Sequence, residues 1–110
     1  MDSAEQIALA EALGQMWARF LPEMKQRVAI LESAAAAFAS CSLPPRQQQD
    51  ASAAAHKLAG VLGTFGLTRG TILARELEIL YSRDEGPAPA DGPSLISIAA
   101  ELRTLLENRI

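Results

Sequence analysis

The chain has 110 residues, a formal net charge of −3 and 49% apolar residues, enough for one domain to bury a core without metals or disulfides. Its basic residues form no run or stripe, which argues against nucleic acid as a partner, and its one cysteine, Cys41, excludes an internal disulfide and argues against a cysteine-based zinc site. No apolar stretch approaches the roughly 20 residues of a membrane span and the acidic N-terminus is not a secretory signal, so a cytoplasmic location without membrane contact is expected.

Helical periodicity begins at the N-terminus. Asp2 and Glu5 have the spacing of a capping box. Ala10, Leu13, Trp17, Phe20, Met24, Val28, Leu31, Ala35 and Phe38 then recur at steps of three and four. Pro22 interrupts this run. Proline breaks or kinks a helix interior, so one helix is predicted over 3–20 and a second over 22–40, although the unbroken stripe also permits a single kinked helix. Trp17 is expected to pack the first helix onto the rest, and the alanines from Ala34 to Ala37 to admit a close neighbour. Cys41 reads as a reduced thiol near a helix end.

Ser42-Leu43-Pro44-Pro45 is a break followed by a helix start, and a third helix is predicted over 45–63. The stretch from Gly63 to Gly66 forms the next break. A fourth helix over 68–83 is predicted to bury Ile72, Leu73, Leu77 and Leu80. Residues 84–93, DEGPAPADGP, read as loop. The last helix, over 94–109, carries Leu95, Ala99, Leu102 and Leu106 at buried spacing. The expected fold is all-α, an antiparallel four-helix bundle with an additional N-terminal helix. It forms one domain over 1–110, with 1–20 as the N-terminal helix and 21–110 as the bundle, and a monomer is expected.

On a wheel of about 100° per residue, the third helix gathers Ala51, Ala54, Ala55, Leu58, Val61 and Leu62 on its core face. His56, the only histidine, falls almost opposite. Its neighbours on the outer face are Gln49, Ser52, Ala53, Ala59, Gly60 and Gly63, nearly all small, where exposed helices normally carry long charged side chains. Gly60 costs roughly 1 kcal/mol relative to alanine inside a helix, and the approach of a partner's backbone to His56 is a sufficient reason for it. Gly63 could instead terminate the helix.

An ordinary surface histidine has the same exposure, so the wheel alone leaves both readings open. A metal site is a poor alternative, since no second ligand stands three or four residues away. General-base catalysis lacks a positioned nucleophile and an oriented acid beside His56. Gln49 lies two turns from His56, too far for ready contact. Phe65 reads as a core anchor, and Arg75, Glu76 and Glu78 as a solvated face.

The segment Ala55-His56-Lys57-Leu58-Ala59-Gly60, continued by Val61-Leu62-Gly63-Thr64-Phe65-Gly66, resembles the signature of histidine phosphotransfer domains. Leu73-Ala74-Arg75-Glu76-Leu77-Glu78 is similar to the matching segment of that family's next helix. The resemblance covers roughly residues 20–109. It implies a phosphorelay carrier, not a kinase or phosphatase, that takes a phosphoryl group onto His56 and returns it. The donors and acceptors would be aspartates on receiver domains of response regulators or hybrid histidine kinases.

The resemblance also implies that the outer ring nitrogen, Nε2, is the nucleophile, and that the receiver supplies magnesium. The carrier itself would need no metal and no cofactor. Many family members carry lysine three residues after the histidine. Here that position is Ala59, and lysine follows the histidine directly as Lys57, either a cation for the phosphoryl group or a solvated flank residue. The departure motivates an alternative, a helical interaction module that docks a receiver or regulator without transfer. The expected site is His56, supported by Ser52, Ala53, Lys57, Ala59, Gly60 and Gly63.

Overall fold

The computed structural model describes residues 3–109. Asp2, and with it the capping box expected at the N-terminus, lies outside the described residues. The described residues form four α-helices and one short 3-10 turn: α1 (Ser3–Ala39), α2 (Pro45–Thr64), α3 (Thr68–Ser82), the turn Pro89–Asp91, and α4 (Gly92–Asn108). Among the described residues there is no strand. Contacts run α1–α2, α2–α3, α3–α4 and α4–α1, so the helices close a ring around one core.

The predicted break at Pro22 is absent. Residues 3–39 form one continuous helix, so the additional N-terminal helix is the first half of α1. Pro22 removes one amide donor, leaving the carbonyl of Ala18 unpaired in the ladder. Both residues are solvent-exposed, and water can serve that carbonyl. On the opposite side Trp17, Met24, Val28, Leu31, Ala34 and Ala35 are buried. Packing along this stripe holds the axis through the proline.

A 37-residue helix is about 55 Å long, against about 30 Å for the 20-residue α2. The molecule measures 54 × 20 × 20 Å, so α1 spans its whole length and its first half extends beyond the other helices. Ala10 is exposed and Leu13 only half-buried, because the stripe at this end has nothing to pack on. The bundle starts at Trp17, whose ring meets Phe65 edge-on at 5.2 Å. Arg109 lies over the Trp17 ring, 4.5 Å from its centroid. Trp17 and Phe65 thus anchor as expected.

Proline at the first positions starts α2. Its end is set by Gly66 and not Gly63. Gly66 adopts φ +71°, and the amides of Leu67 and Gly66 donate to the carbonyls of Leu62 and Gly63 at 3.0 and 3.1 Å. This is a Schellman ending with glycine in the left-handed position. Gly63 lies inside α2. The helix α4 starts two residues earlier than expected. Asp91 stabilises the turn ahead of it by accepting from the amide of Ala88 at 2.8 Å, and it also binds Arg83 at 3.3 Å.

In α3 the buried residues are Gly70, Leu73, Ala74, Leu77 and Tyr81. Ile72, predicted to be buried, is 48% exposed, because it sits opposite the centre of that arc. Leu80 is half-buried. Tyr81 takes the core position instead, with its hydroxyl sealed from solvent and unpartnered. Burial pushes that phenol up to about 12. Bidentate pairs tie the outer faces: Arg103 binds Glu32 across α4 and α1, and Arg69 binds Glu101 across α3 and α4. The hydrogen bond from Arg69 holds the Glu101 carboxyl below its ordinary value.

Candidate functional site around His56

The site is built on the α2–α3 pair. The two helices pair about the turn at Leu67: Gly63 lies beside Thr71, and His56 beside Glu78. At the far end Gln48 donates to the carbonyls of Tyr81 and Arg83, at 3.0 and 2.9 Å. These carbonyls close the C-terminus of α3 and have no helical partner, so Gln48 caps α3 from the neighbouring helix. A β-carbon on Gly86 would stand 2.6 Å from the Gln48 side-chain oxygen, so glycine leaves room for the cap there.

The His56 side chain is 73% exposed, and its Nδ1 lies 2.7 Å from a carboxylate oxygen of Glu78. A carboxylate only accepts, so in the neutral ring the hydrogen resides on Nδ1 and donates to Glu78. The lone pair is then on Nε2, at the opposite edge of the ring. The oriented acid that sequence reasoning did not find beside His56 is therefore Glu78. It was read as part of a solvated face, but it is half-buried and reaches across to α2. One signal for it was present: His56 and Glu78 stand eleven residues either side of Leu67, the turn that pairs their helices.

Around His56 the outer face of α2 is largely as expected. Ala53, Gly60 and Gly63 are exposed and Ser52 is half-buried. A β-carbon on Gly60 would meet nothing within 4 Å, so no contact within the chain requires glycine there. Lys57 is exposed on the flank, where it borders the grooves on both sides of α2. Ala59 is a correction: it is 5% exposed and belongs to the core. α2 is covered by both α1 and α3, so its buried arc is wider than a single core face and takes in Ala59.

The groove between α2 and α3 at His56 holds about 550 Å³ and is lined by Gln49, Ser52, His56, Lys57 and Glu78 among others. It is shallow and open, with the imidazole at its edge. Among the described residues no group of three or more His, Cys, Asp or Glu could hold a metal ion. Among them too, no helix is long and apolar enough to cross a membrane.

Protein RcaC from Microchaete diplosiphon is 34% identical over 91 residues, which is 83% of this chain and 14% of that protein. The chain thus matches only a small part of that relative's length. No solved structure matches the chain significantly. A family model described as the Hpt domain matches residues 15–109, nearly the whole bundle and both helices of the site. The chain belongs to the Hpt domain family.

Proposed function

We propose that this chain accepts a phosphoryl group at His56 from a receiver-domain aspartate and donates it to another receiver. The carrying observation is the pairing of His56 Nδ1 with Glu78 on a face cleared of large side chains. It leaves Nε2 unprotonated and outward, as a nitrogen nucleophile must be. Membership of the Hpt family supports the same reading, as does the antiparallel four-helix arrangement favoured by the pairing of helix ends.

In the forward step the Nε2 lone pair attacks phosphorus, the N–P bond forms, and the P–O bond to the aspartyl carboxylate breaks. The departing aspartate takes the electron pair. Nδ1 keeps its proton throughout. The ring gains positive charge as the N–P bond forms, and the Glu78 carboxylate is placed to stabilise it. Return to a second aspartate runs the same step backwards. Gly60 and Gly63 leave space for the receiver, and Lys57 supplies a cation at the rim. Ala59 is buried in the core, so the position where many family members carry lysine takes no part in the exposed face here. A cytoplasmic carrier without kinase or phosphatase activity fits this chemistry.

The test is phosphate acceptance from a phosphorylated receiver. The wild-type chain is expected to gain one acid-labile phosphate, and His56→Gln none. Phosphate on the Gln variant would refute the proposal.

A further inference from the structure

The first half of α1 carries an apolar face with nothing packed on it. No α1 residue before Trp17 is buried. Leu9, Leu13 and Met16 follow at spacings of four and three, with Gln6 three residues ahead of Leu9, while Phe20, next in line, packs on Phe65 and belongs to the bundle. This is the seam of a heptad pattern. Leu9 is 52% exposed and Met16 39%. On the wheel the seam lies about 50° round from the stripe that Trp17 and Met24 turn to the bundle, so it is free to take a second contact.

We infer that this seam is covered by the same segment of a second copy, running antiparallel. Charge complementarity picks the occupant. Positions 5, 12 and 19 line one side of the seam at heptad spacing and are Glu5, Ala12 and Arg19. With Ala12 opposite Ala12 of the second copy, Glu5 of each chain faces Arg19 of the other. In the same register Leu13 packs on Leu9 and Met16 on Gln6, twice over by symmetry. A parallel pairing makes neither ion pair. Among the described residues neither Glu5 nor Arg19 is in a salt bridge within the chain, so both are available.

The overlap ends at Arg19, two residues past Trp17, where the bundle begins. An interface of about 17 residues from each helix buries on the order of 1,000 Å², the lower edge of a specific interface. The dimer is therefore weak and reversible. The proposal departs from the monomer expected from sequence on one ground: α1 is continuous, and its first half projects beyond the other helices. His56 lies outside the overlap, so the inference does not depend on phosphotransfer.

The test is sedimentation of the full chain at low salt, from about 5 to about 500 µM, the range of dissociation constants that such an interface gives. The expected result is a concentration-dependent monomer–dimer equilibrium. Glu5→Arg and Arg19→Glu each turn two attractions into repulsions and should weaken it about tenfold. The double swap should restore it. Both sites are exposed, and circular dichroism checks that the variants stay helical. A chain that remains monomeric throughout overturns the inference. So does a dimer indifferent to the single swaps, or one that the double swap fails to restore.

Discussion

Removing the Glu78 carboxylate isolates what it does for His56. Glu78→Ala leaves the imidazole exposed and its environment otherwise unchanged, but frees the ring to move its proton to Nε2 and to rotate. A hydrogen bond to a charged group contributes about 1.5–3 kcal/mol when buried. Here the His56 side chain is 73% exposed and that of Glu78 31%, so solvent screening reduces the figure to about 1 kcal/mol. That corresponds to roughly fivefold slower phosphoryl acceptance. Glu78→Gln keeps an oxygen that can accept from Nδ1–H without the charge, and should lose only about twofold on the same scale. The assay is rapid-quench transfer from a phosphorylated receiver. Nitrogen-15 shifts of the ring report the tautomer directly, a readout that a merely structural role would not move. Wild-type rate and unchanged ring shifts in Glu78→Ala would refute the reasoning.

Gly60→Ala meets no atom of the chain, so it should raise stability by about 0.5–1 kcal/mol, read as an increase in melting temperature. The same change should slow receiver transfer if the bare backbone serves docking. Gln48→Ala takes a donor from the carbonyls of Tyr81 and Arg83, of which Arg83 keeps the amide of Gly86, and should cost about 1 kcal/mol in urea unfolding. Tyr81, the only tyrosine, titrates near 10 when unfolded and at about 12 when folded. Its contribution is thus fully present below pH 10 and lost as pH rises through about 12, on the order of 3 kcal/mol in all. Absorbance of the phenolate checks the onset, and Tyr81→Phe should remove this pH dependence at little or no cost in stability, since the hydroxyl has no partner.

The helices could be read from periodicity and turn residues because each carries one apolar face and starts or ends near a proline or glycine. The exposed face of His56 was legible for the same reason: small residues there are conspicuous against a core of alanine and leucine. Pro22 misled because its local penalty was outweighed by a buried stripe that crosses it, a tertiary effect. Ala59 and Ile72 were misplaced because alanine is silent about burial and isoleucine about direction. The true arcs depend on how many neighbours cover each helix. Glu78 was missed since its role exists only across two helices, twenty-two residues from His56 in sequence. The cap by Gln48 was missed for the same reason: it joins the start of α2 to the end of α3.

The central claim is that Nε2 of His56 is the phosphorylated atom. Phosphorus-31 and nitrogen-15 spectra of the chain after transfer from a phosphorylated receiver test it most directly. The account predicts one acid-labile phosphate bonded to Nε2, with the proton still on Nδ1, and no phosphate on His56→Gln. Phosphate bonded to Nδ1, or carried by any residue other than His56, would contradict it.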